Sequence, residues 1–261
     1  MRATPMAIIP LKAWYLGQYE PLREVIQRPP DLRLNRNSLL KSALRADFLD
    51  DKEVIQQSDW FQRYLEGEAV EFYIEGSGGY TIANLDLVSQ ELYLSKQDIT
   101  ATLEPIIFFS QQTEYPHSSK MITIVLEDTI KQYNQRSRYP LKLEVASRPP
   151  DAPLRLSDSQ LRKLRKSLLL VVDGTPVTQI KQEETSRLIP SPYICTELGY
   201  ALQSKRGGQI LLLHQQRSDF SGQWPFDLPS HQQLEFKTSE ELSQTLPQVI
   251  EALLQRFKLA P

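Results

Sequence analysis

One stretch of the chain has residue types and spacing that point to chemistry: Leu188 to Leu213, LIPSPYICTELGYALQSKRGGQILLL. Ser191 followed by Pro192 is a favoured helix start. Serine can satisfy exposed amides there, and proline at the first helical position has no amide to leave unpaired. Beyond it, Ile194, Leu198, Ala201 and Leu202 recur on one apolar stripe, and the 3.6-residue period puts Glu197 on the rim of that stripe in the second turn. A carboxylate there is partly withdrawn from water near the positive end of a helix. Such a group can serve as nucleophile, as general base, or as acceptor for ribose hydroxyls. The plain alternative is a solvated glutamate that slightly stabilises the helix dipole.

Further candidates sit at the ends of apolar runs. Asp173 closes SLLLVVD, and with Gly174 and Thr175 it is either an Asx-turn or a binding group. Ser110 closes EPIIFFS, where it contacts a ribose or phosphate or caps the next helix. Tyr193 and Tyr200 flank Glu197 at helical spacing, at least one of them a core residue. Cys195 reads as a small buried hydrophobe. The loop Ser218 to Pro229, with Trp224 and Phe226, reads as a lid or as an aromatic plug against the N-terminal part.

These residues need a scaffold, and the texture of the chain after Thr102 supplies one. Apolar runs at Glu104–Ser110, Leu141–Ser147, Ser167–Asp173, Gly208–His214 and Gln233–Phe236 are expected strands. Helices are expected over Ser119–Gln135, Ser157–Lys166 (with Ser157 as N-cap), Pro192–Ser204 and Ser239–Phe257, and a loop of some length over Gly174–Pro190. Continuous apolar strands alternating with helices predict an α/β domain, 103–261, with a five-stranded parallel sheet of flavodoxin-like order 2-1-3-4-5 and helices on both faces. Its ligand site belongs outside the carboxyl ends of the strands. Residues 1–100 read as a smaller strand-rich α+β domain. It is expected to hold helices near Ser38–Phe48 and Trp60–Leu65, a hairpin through Phe72, Ile74, Tyr80 and Ile82, and a strand through Leu92 and Leu94. The GSGG run of that hairpin, Gly76 to Gly79, lacks a following Lys-Ser/Thr and leads into a strand, so it reads as a turn and not a phosphate loop.

The run Glu197-Leu198-Gly199-Tyr200-Ala201-Leu202, followed by Lys205 and Gly207 to Leu213, resembles the helix of nucleoside 2-deoxyribosyltransferases. Phe108-Phe109-Ser110 and the Ser191-to-Glu197 stretch look like the first strand and the glutamate helix of TIR (Toll/interleukin-1 receptor) domains. The resemblance is confined to the C-terminal part. It implies a nucleoside, nucleotide or NAD as substrate without a separate cofactor and Glu197 as the catalytic group; from their places at the predicted strand ends and helix start, Ser110, Asp173, Thr175, Ser191 and Tyr193 are the expected ligand contacts. It also implies a homo-oligomer. The deoxyribosyltransferase pattern has an Asp ahead of its Glu, where Ser191 stands here.

Composition narrows the classes. A formal net charge of -2 favours neither nucleic acid nor an anionic membrane. The basic run Arg162 to Lys166, without interleaved aromatics, reads as the last turn of a helix. A single cysteine excludes an intramolecular disulfide and fits a reducing, cytoplasmic setting, and with three scattered histidines it makes no metal-ligand spacing. Two functions are expected: cleavage or transfer of an N-glycosidic bond by Glu197, or a non-enzymatic nucleotide-sensing or protein-interaction module in which residues 1–100 dock a partner.

Overall fold

The computed structural model describes residues 10–39, 43–97, 99–148, 158–181, 186–205, 208–226, 228–255, 257 and 259. The chain divides into two compact units, Met1–Thr102 and Leu103–Pro261.

The first unit is a closed antiparallel barrel. Its strands are β1 (Leu11–Tyr15), β2 (Leu32–Leu39), β3 (Ala43–Phe48), β4 (Glu71–Ile74), β5 (Gly78–Asp86) and β6 (Glu91–Lys96), in the order β1-β2-β3-β6-β5-β4 with β4 pairing back onto β1. Three short helices, α1 (Leu22–Val25), α2 (Lys52–Gln57) and α3 (Asp59–Leu65), decorate it. The barrel is filled by alternating residues such as Leu32, Leu34, Leu44, Ala46, Phe48, Phe72 and Ile74. Where a helix is expected near Ser38–Phe48, the described residues are the end of β2 and the whole of β3. The i, i+4 spacing of Leu40 and Leu44 suggested a helix, but Leu44, Ala46 and Phe48 alternate inward with period two, and barrel closure rewards that pattern. The hairpin is as expected, with Gly76 at φ +70° in its turn. Gly79 must stay without a side chain, because a Cβ there would lie 2.6 Å from the Gln97 carbonyl.

The second unit is a parallel sheet. Its strands are β7 (Glu104–Ser110), β8 (Lys142–Val145), β9 (Ser167–Asp173), β12 (Ile210–Gln215) and β13 (Gln233–Phe236), alternating with α4 (Pro116–Asn134), α5 (Asp158–Lys166), α6 (Pro192–Ser204) and α7 (Ser239–Gln255). The spatial order is β8-β7-β9-β12-β13, which is 2-1-3-4-5, with every pair parallel. Phe108, Leu170, Val172, Ile210 and Leu212 pack with Leu164 of α5 and with Ile194, Leu198 and Ala201 of α6. The alternate residues Ile107, Phe109, Leu169, Val171, Leu211 and Leu213 are equally buried, and α4 and α7 run together. Burial on both faces is why these strands read as unbroken apolar runs.

The expected loop Gly174–Pro190 contains an antiparallel ribbon, β10 (Thr178–Lys181) with β11 (Ser186–Ile189). Only Leu188 of its eight strand residues is buried, so its sequence carries no strand-like apolar alternation. The expected N-cap Ser157 lies outside the described residues. No helix among the described residues is long and apolar enough to cross a membrane.

Candidate functional site

In a 2-1-3-4-5 sheet the chain leaves the first strand in one direction and the third in the other. The crevice is therefore between the carboxyl ends of β7 and β9. Ser110 ends β7 beside Val172 of β9, and Asp173 is the next residue of β9. Period-two alternation sends their side chains to opposite faces. Most of the residues singled out from sequence therefore fall into two clusters.

The first cluster is centred on Glu197. Sequence periodicity puts this residue on the rim of a buried face, but it is fully buried. Its carboxylate forms a bidentate ion pair with Arg148, Nη1 donating to Oε1 at 2.7 Å and Nη2 to Oε2 at 2.8 Å. Gln160 Nε2 of α5 donates to Oε1 at 2.6 Å, and the Ser110 hydroxyl donates to Oε2. A carboxylate has about four acceptor positions, and four donors take them. The Arg148 side chain is 2% exposed; Nε donates to the Gln111 carbonyl at 2.9 Å, and the guanidinium lies 5.4 Å from the centroid of the Tyr193 ring. Charge compensation lets an ionised glutamate sit at full burial.

The second cluster is centred on Asp173, also fully buried. Ser118 and Ser119, in the first turn of α4, each donate a hydroxyl to Oδ2 at 2.6 Å, and the Thr175 amide donates to Oδ1 at 3.1 Å. Burial pushes the Asp173 carboxyl above its ordinary value, against the lowering effect of these donors. Thr175 ties in two more elements: its Oγ1 accepts from the Gln215 amide at 2.9 Å, and its carbonyl accepts from Gln112 Nε2 at 2.9 Å. Gln112 is itself buried, held by its amide to Ser119 Oγ at 3.0 Å, and its Oε1 has no hydrogen-bond partner among the described residues. Gly174 keeps the strand end close to its neighbours, since a Cβ would meet Leu212 Cδ1 at 2.6 Å and Trp224 at 3.0 Å.

Ser191 stands apart from both clusters. It precedes α6 without a side-chain cap bond, and its hydroxyl donates to Glu114 Oε1 at 2.9 Å. Cys195 is half-buried, and burial pushes its thiol up. Trp224 and Phe226 pack on the β9–α6 face of the sheet, Trp224 with its ring 4.7 Å from that of His214. Among the described residues no group of three or more His, Cys, Asp or Glu side chains could hold a metal ion.

Sequence reading did not single out Arg148, Gln160, Gln112, Ser118 or Ser119. Arg148 had a usable signal, because it directly follows Ser147, the expected end of β8 and so one of the strand ends that line the crevice. The two serines stood in an expected loop and helix start, with nothing in their spacing to aim them at Asp173. Comparisons with protein-family models, with curated proteins and with solved structures give no match.

Proposed function

We propose that the C-terminal unit is a nucleotide- or nucleoside-binding module that senses its ligand or engages a partner without N-glycosidic chemistry, Glu197 being a structural anchor and not a nucleophile. The observation that carries this reading is the saturation of the Glu197 carboxylate. Attack on an anomeric carbon needs a free carboxylate lone pair within about 3–3.5 Å of that carbon. Here every acceptor position is engaged at full burial by Arg148, Gln160 and Ser110.

Binding at the β7/β9 crevice is supported by strand order and by Gln112. Buried acceptors in proteins are almost always paired, and an unpaired one at a topological switch point fits a ligand hydroxyl or amide donor. The resemblance of the Glu197 helix to deoxyribosyltransferase and TIR sequences makes a ribose-containing ligand the reading to test. Titration of the full chain with a panel of nucleosides, mononucleotides and NAD, read by thermal stabilisation, is expected to give a saturable shift that Gln112→Ala removes. If no member of the panel shifts the wild-type transition, nucleotide binding is refuted.

A further inference from the structure

The partners of Arg148 make up a receptor that the chain fills for itself. A planar guanidinium is best recognised by a carboxylate presented edge-on, which accepts two parallel N–H bonds, together with an aromatic face. Glu197 supplies the first at 2.7 and 2.8 Å, and Tyr193 supplies the second at 5.4 Å. Ser110 Oγ lies a further 3.4 Å from Nη2. The carboxylate does not depend on Arg148 for its orientation, because Ser110 from β7 and Gln160 from α5 hold it separately. The walls thus come from β7, α5 and α6, whereas the cation comes from the segment after β8. The Arg148 side chain is buried while the residue as a whole is only half-buried, so the side chain runs inward from an exposed main chain to Glu197.

We propose that Glu197, Ser110, Gln160 and Tyr193 form a binding site for a planar, guanidinium-type cation, held closed by the chain's own Arg148. The tether makes Arg148 a competitor at an effective concentration in the millimolar range or above, so a weakly bound free cation does not displace it from the wild-type protein. Removing the side chain beyond Cβ opens both the box and the path to it. The inference does not require nucleotide binding, and its test uses no nucleotide.

The test is chemical rescue of Arg148→Ala by methylguanidinium, followed by thermal unfolding at 0–20 mM probe with methylammonium as control. The expected result is saturable stabilisation of Arg148→Ala with methylguanidinium at least tenfold more potent than methylammonium. Wild type should show no such response, nor should the Arg148→Ala/Glu197→Gln double variant. N-acetylarginine amide, run in parallel, separates the two sources of the cation. Potency equal to that of methylguanidinium assigns the site to an arginine side chain, and a loss of potency assigns it to a small free cation. If Arg148→Ala is isolated unfolded, refolding with and without the probe replaces the titration, and recovery of the folded protein with methylguanidinium alone supports the site. Equal responses from wild type and variant, equal potency of the two cations, rescue that survives Glu197→Gln, or no rescue in either format would overturn it.

Discussion

Replacing Arg148 by methionine should destabilise the C-terminal unit by about 3–5 kcal/mol, the range expected when one partner of a buried ion pair is removed. The structure gives a similar figure independently. Two of the four hydrogen bonds on the Glu197 carboxylate come from Arg148, and each bond to a charged group contributes about 1.5–3 kcal/mol. At full burial no water replaces them. A surface pair would be worth about 0–1 kcal/mol, so the two cases are well separated. Urea unfolding followed by circular dichroism at a helical wavelength is a suitable assay. The long helices α4, α6 and α7 all belong to this unit, whereas those of the barrel are four to seven residues long. With an m-value of about 2 kcal/mol/M the midpoint should fall by about 2 M. Arg148→Met/Glu197→Leu should cost far less than the sum of the single changes, because removing both charges leaves no unpaired ion. A midpoint shift for Arg148→Met below about 0.5 M, or additive behaviour of the pair, would refute the reasoning.

Other perturbations give distinct signatures. The folded protein holds the Asp173 proton more tightly than the unfolded chain does, so the stability of wild type relative to Asp173→Asn should fall as pH rises from about 4; paired urea curves across pH 4–8 measure this, and a difference that rises with pH contradicts it. Lys205 at the end of α6 donates to the Ser167 carbonyl at 2.6 Å, and burial brings its ammonium down to about 7. The unfolded chain binds this proton more tightly, so stability should rise between about pH 7 and 10 and the rise should flatten in Lys205→Met, measured by the same curves. Gly174→Ala should cost about 1–3 kcal/mol through the collision with Leu212 and should alter the Trp224 emission; an unchanged midpoint and spectrum would rule out that packing.

Much of the second unit could be read in the sequence because its chemistry is strong and local. Ile106–Phe109 and Leu168–Val172 are apolar throughout because parallel strands are covered on both faces, and Ser191-Pro192 marks the start of α6 unambiguously. The barrel was harder. Leu39, Leu40, Ala43 and Leu44 stand at spacings that also fit a helix, and only closure onto β1 and β6 favours the extended form of β2 and β3. The ribbon β10–β11 was silent because all but one of its strand residues lie outside the core. Glu197 could be found from its helix and Arg148 from its place after a strand end, but not the pairing between them. Arg148 lies 49 residues away in sequence, and a bidentate pair across two crossover connections has no local trace.

Whether Glu197 is an anchor or a nucleophile can be measured directly. The direct measurement is free-base release, by chromatography, from NAD and a set of nucleosides and deoxynucleosides incubated with wild type and Glu197→Gln. With Glu197 as an anchor, neither releases base above the protein-free control. Base release by wild type that Glu197→Gln abolishes would contradict it.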